Sequence, residues 1–157
     1  MPELSTVKEQ TLLLRRMIGN IAAEHAERAD HIPPTWKNNL RWHVGHLVTT
    51  PRLLVFGLLG EPLGMSEDYR HWFAKGSSPA AWEDDVIPPL DQLIEEMTAG
   101  TEAVFEAVAG RENTRFAQPY TTSLGAVLST PAEALMFSQA HDGIHLGLVL
   151  ALRRALA

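Results

Sequence analysis

The stretch His141-Asp142-Gly143-Ile144-His145 sets two imidazoles four residues apart. A helix there stacks both on one face, one turn from each other. Phe137, Leu148 and Leu152 fall on the same face, so the two histidines interrupt an apolar stripe instead of a solvated one. Two neutral imidazoles so placed offer lone pairs toward a common point and can grip one divalent ion. Paired spacing alone is a weak pattern, and it also fits two partly buried histidines that are merely hydrogen-bonded. Gly143 lies between them at a mid-helix position, where it costs about 1 kcal/mol relative to Ala. A close approach by another backbone would explain that glycine.

A third ligand must come from elsewhere, and Trp42-His43-Val44-Gly45-His46-Leu47 offers two. His43 and His46 are one turn apart, so either could project inward. His46 shares a side with Asn39, Trp42 and Leu53, all core or pocket residues in this reading. His43 faces the same pocket obliquely, as a catalytic acid–base or hydrogen-bonding group, or else is a boundary residue. His25 and His71 are lone histidines, and His31 stands beside two prolines in a loop.

Other chemistries lack their residues. The chain has no cysteine, which excludes disulfides, thiolate ligands and cysteine nucleophiles. Any thiol chemistry needs a thiol brought in by a co-substrate. The Glu-x-x-His spacing of carboxylate-bridged di-iron bundles is absent. So are the phosphate-cradling GxxxxGK, the GxGxxG fingerprint and the GxSxG elbow. A net charge of -6 gives no general field for nucleic acid. The acidic run Glu83-Asp84-Asp85 and the pair Glu95-Glu96 read as solvated surface.

Helices have to position the histidines, and four segments carry helical period and punctuation. The first covers about 6–28, opened by a capping box of Thr6 and Glu9, with Leu14, Met17, Ile18, Ile21 and His25 as one stripe. The second covers about 39–59, between Asn39 as N-cap and Gly60 as stop, and is apolar nearly all round. Pro51 inside it removes a backbone donor and should kink or split the helix near Thr50. The third starts at Pro88-Pro89 and reaches Ala109, closed by Gly110. The fourth has Thr130 as N-cap, Pro131 in the first turn and Glu133 completing the box. It continues to the C-terminus through Leu135, Phe137, Ile144, Leu148 and Leu152. Residues 61–87 hold a short helix over about 66–74 ended by Gly76, and residues 111–129 are extended or looped. A length of 157 residues with 45% hydrophobic and 20% charged residues fits one globular domain over 1–157. The first twenty residues do not follow the plan of a secretory leader, and the apolar stretches near 53–59 and 146–152 are too short to span a bilayer. The expectation is a soluble cytoplasmic protein with no membrane or nucleic-acid partner.

Taken together, 38–47 and 141–147 resemble the helix-two and helix-four motifs of DinB-like proteins. The stretch Trp72-Phe73-Ala74-Lys75-Gly76-Ser77 resembles a subgroup described as metal-dependent hydrolases. The resemblance implies an all-α, antiparallel four-helix bundle with long crossover connections, running up-down-down-up and forming a homodimer. It also implies a three-histidine site, carried here onto His46, His141 and His145. Relatives in that family include thiol S-transferases and isomerases that use small-molecule thiols. Three protein ligands leave an open position, the layout of a catalytic metal site. The expected function is therefore metal-dependent chemistry on a small-molecule substrate, S-transferase-like or hydrolase-like. The expected cofactor is a divalent transition metal, zinc or nickel first and iron, manganese or copper as alternatives. A low-molecular-weight thiol is the expected co-substrate. The alternative is a non-catalytic stress-response or ligand-binding dimer in which the metal is structural.

Overall fold

A computed structural model describes residues 3–157. The long helices are α1 (Leu4–Glu24), α2 (Leu40–Arg52), α4 (Leu90–Val108) and α5 (Pro131–Leu156), with a short α3 (Asp68–Phe73) in the connection between α2 and α4. A two-residue hairpin, β1 (Tyr120–Thr121) with antiparallel β2 (Val127–Leu128), precedes α5.

Local chemistry explains most of the boundaries. Asn39 caps α2, its side chain accepting from the Trp42 backbone N–H at 2.8 Å. Thr130 accepts from the Glu133 N–H at 3.3 Å, while the Glu133 carboxylate reaches back to the Ser129 N–H at 2.6 Å. The expected box of Thr6 and Glu9 does not form. The first helix already starts at Leu4, with Glu3 as a cap that makes no side-chain hydrogen bond, and it ends at Glu24 before a short 3₁₀ turn. Pro51 does not split α2. The backbone runs through it and widens immediately afterwards into a π-helical turn over Leu53–Gly57.

Cross-helix contacts fix the topology. Arg15 meets Asp142 and Arg28 meets the Leu156 carbonyl, so α1 and α5 run parallel. His43 meets His145 and His46 meets His141, so α2 and α5 run antiparallel. Arg15 meets Thr101 while Gly19 faces Ile94, so α1 and α4 run antiparallel. The order is up-down-down-up, with α1 and α2 on opposite corners. Among the described residues no helix is long and apolar enough to cross a membrane.

Two apolar clusters fill the bundle, one around Ile18, Leu40, Leu47, Leu93 and Leu152, the other around Val7, Leu54, Phe105 and Leu135. Between them lies a buried polar layer to which every long helix contributes: Thr11 and Arg15, Thr49, Thr101, and Ser138 with Asp142. Arg15 and Asp142 are 1% and 0% exposed and form a two-pronged ion pair at 2.6 and 3.2 Å. Thr101 accepts the remaining guanidinium bond at 2.9 Å. Three expected core positions, Met17, Ile144 and Leu148, face outward at 42%, 47% and 39% exposure. Gly143 is also exposed, and a Cβ added there would meet nothing within 4 Å, so no other backbone among the described residues approaches it.

Candidate metal centre

His46, His141 and His145 come together at the level of the polar layer, their ligand atoms within 4.8 Å of one another. His141 Nε2 lies 3.1 Å from His46 Nε2 and 3.1 Å from His145 Nε2. Nitrogens at about 2.1 Å from a common ion and at tetrahedral or octahedral angles sit roughly 3.0–3.4 Å apart, so the two spacings to His141 fit.

Two of the three rings are held from behind. His46 Nδ1 contacts the Phe73 carbonyl at 2.6 Å, and since a carbonyl only accepts, that nitrogen carries the proton and Nε2 carries the lone pair. Thr50 Oγ1 lies 3.2 Å from that Nε2. The indole of Trp42 stacks on His46 with centroids 4.6 Å apart and planes 13° apart. His145 Nδ1 and His43 Nδ1 are 2.9 Å apart. When His145 presents Nε2 to an ion, its Nδ1–H donates to His43, the outer-partner arrangement that orients metal-binding histidines. His141 Nδ1 is buried and has no hydrogen-bond partner, with Asp142 Oδ1 4.0 Å away. An ion on His141 Nε2 would put the proton on that orphaned atom, beside a carboxylate. The donor set therefore fits a divalent ion.

Electrostatics point the same way. Burial lowers the pKa of His43 and His46 from 6.5 to about 4 and that of His145 further, with neighbouring histidines adding to the effect. His46 and His145 therefore stay neutral near pH 7, the state in which an imidazole can bind a metal.

The loop after α3 carries no helical period, and its part in the site emerges only from its contacts. Trp42 Nε1 donates to Ser77 Oγ at 2.8 Å, and Ser77 Oγ donates to the carbonyls of Trp72 and Ala74. These bonds clamp residues 72–77 against α2 and hold the Phe73 carbonyl on His46. Gly45 makes the approach possible, because a Cβ there would sit 2.3 Å from the ring of the fully buried Phe73. The π turn shapes the other side, where Leu53, Leu54 and Gly57 line a cavity of about 530 Å³ that ends on the three histidines.

The expected residues thus separate. His46, His141 and His145 line the cavity, whereas His43 is not among its lining residues and lies behind His145, 3% exposed. His25 hydrogen-bonds its own helix through the Ile21 carbonyl, and His71 sits 3.7 Å from Asp85 on the surface. The buried Arg15 was missed. Its only sequence signal is Asp142, a carboxylate on a buried helix face that needs a cation.

A family model described as the DinB superfamily matches residues 12–149. No curated protein matches the chain at a significant level.

Proposed function

The chain belongs to the DinB superfamily, and on that footing we propose a metal-dependent enzyme acting on a small molecule, with His46, His141 and His145 holding one divalent ion. The observation that carries this reading is the convergence of three imidazole nitrogens at the floor of an open cavity. Three protein nitrogens leave room in a four-coordinate sphere for one outside ligand, and the cavity gives that ligand access. A divalent ion there would supply Lewis acidity toward an electrophile and acidify a water or thiol brought to it. The chain's own residues would do the rest. Phe73 and His43 hold the imidazoles of His46 and His145 in their binding tautomers, Leu53, Leu54 and Phe137 give the cavity apolar walls, and the Thr50 hydroxyl stands ready to exchange a hydrogen bond with substrate. With no cysteine in the chain, transfer of a low-molecular-weight thiol to an electrophile is the favoured reaction and hydrolysis its neighbour. Zinc or nickel suits three imidazoles, with iron, manganese and copper competing through availability.

One observation favours a second reading. The ligands would tie α2 to α5 at mid-bundle, where an ion would act as a structural staple in a stress-response or ligand-binding dimer. A second copy of the chain has a natural seat in either case, the exposed apolar face of Leu13, Met17, Ile144 and Leu148 beside two open glycines, Gly143 and Gly147.

Elemental analysis of tag-free protein beside His46→Ala and His141→Ala tests the centre. A near-stoichiometric metal in the parent and its loss from both variants is the expected result. Metal-free parent protein after reconstitution sinks the proposal. Turnover of thiols with electrophilic acceptors, or of hydrolysis substrates, then separates enzyme from staple. A large fall in Tm on chelation with no turnover across that panel favours the staple.

A further inference from the structure

The cavity that ends on the histidines has an uneven charge. Its lining contains no aspartate and no glutamate, although the chain as a whole carries a net charge of -6. It does contain two cations, Arg70 at the end of α3 and Lys75 in the clamped loop, both exposed and therefore at the mouth. Lys75 has no carboxylate partner among the described residues. Arg70 lies 3.6 Å from Glu67, but both side chains are more than half exposed, so water screens that pair and leaves the guanidinium donors available. The mouth also carries the hydroxyls of Tyr120 and Ser123. The same lining also carries the apolar side chains of Leu53, Leu54, Leu58 and Phe137 and the three histidines.

Position reinforces the pattern. Lys75 stands two residues after Phe73, whose carbonyl fixes His46, so the Trp42–Ser77 clamp that orients the ligand also sets where the lysine can reach. The clamped loop thus ties the backbone at Lys75 to the element that contacts His46, and Arg70 stands one turn earlier in α3. A molecule with a negative head and an apolar body matches a lining that combines cations, hydrocarbon and imidazole without any carboxylate.

We propose that the cavity selects small molecules with an anionic head, a carboxylate or sulfonate, on an apolar body. The head lies on Lys75 and Arg70, the body lies along Leu53, Leu54 and Phe137, and the far end reaches the histidines. Only the last clause, that the far end is the reacting end, rests on the metal-dependent reading.

A carboxylate could also bind a metal directly, so the test uses full-length protein stripped of metal by a chelator. Phenylbutyrate and octanoate are titrated beside phenylbutanol and octanol, with binding followed by calorimetry or by NMR shifts. The acids should bind about fivefold to tenfold more tightly than the alcohols, the scale of one or two screened charge pairs. Raising the salt to about 300 mM should shrink that preference. In the Lys75→Gln/Arg70→Gln variant, whose exposed positions leave Tm unchanged, it should fall to about twofold or less. Equal binding of acid and alcohol, a preference that survives the double variant, or no saturable binding of either acid by about 10 mM overturns the proposal. Metal content, measured separately, reports on the ion, so the two readings fail independently.

Discussion

Replacing Arg15 by Met tests whether the bundle depends on its polar layer. The substitution keeps most of the side-chain volume and removes the charge. It leaves the Asp142 carboxylate 0% exposed, without the two bonds at 2.6 and 3.2 Å that now satisfy it. The Thr101 hydroxyl loses a donor as well. Stripping one partner from a buried ion pair costs about 3–5 kcal/mol, mainly as the penalty of an uncompensated charge. At about 2–4 °C per kcal/mol for a chain of this size, Tm should fall by roughly 6–20 °C. Replacing both partners, Arg15→Met with Asp142→Leu, leaves no buried charge and should recover most of the loss. The assay is urea and thermal unfolding of the metal-free protein for the parent, both single variants and the double. A loss below about 1 kcal/mol in Arg15→Met, or a double variant no more stable than the singles, refutes the claim that this pair is a coupled, desolvated element.

His43→Ala should keep the fold and weaken metal affinity about tenfold to a hundredfold in a chelator competition, the usual cost of an outer hydrogen-bond partner, and His43→Gln should restore part of it; unchanged affinity in His43→Ala would remove His43 from the site. Gly45→Ala forces a Cβ into the Phe73 ring and should cost about 1–3 kcal/mol on unfolding, with weaker metal binding as the Phe73 carbonyl leaves His46. The metal-free protein should lose stability in acid. His43 and His46 have folded pKa values near 4, below the unfolded 6.5, so the unfolded state binds more protons between those values. Their contribution is complete above about pH 6.5 and disappears as pH falls toward 4, at most about 3 kcal/mol per histidine. A His43→Gln/His46→Gln variant with an equally steep decline would contradict this. Ile144→Glu with Leu148→Glu should yield a monomer by light scattering if a second copy covers the α1–α5 face, and an unchanged oligomer places the contact elsewhere.

The helices were legible because their ends carry local chemistry. Asn39, Thr130, Pro131, Gly60 and Gly110 act within a few residues of themselves, and the structure uses each where expected. The two apolar clusters were legible only in part. Met17, Ile144 and Leu148 match the helical period as well as Ile18 and Leu152 do, and periodicity does not tell a core face from an apolar face turned outward. The box of Thr6 and Glu9 failed for a related reason. A capping motif competes with any earlier start the chain can make, and here the helix begins at Leu4 and carries Thr6 inside its first turn.

What stayed illegible depends on partners far apart in sequence. Nothing beside Arg15 in the sequence marks it as buried, and its burial becomes intelligible only once Asp142, 127 residues away, sits opposite it. The Trp72–Ser77 loop has no helical period, yet it holds the His46 tautomer through one carbonyl and places Lys75 at the cavity mouth. Gly45 belongs with it, since its missing Cβ is the space that Phe73 fills. Gly143 is the opposite case. Its spacing suggested a close backbone approach, but the chain leaves it open to solvent, so either a second copy fills that space or the glycine simply costs helix stability. The histidine spacing marks where an ion can bind. The orientation of the His46 and His145 rings is set by the Phe73 carbonyl and by His43, contacts made across the fold between residues far apart in sequence.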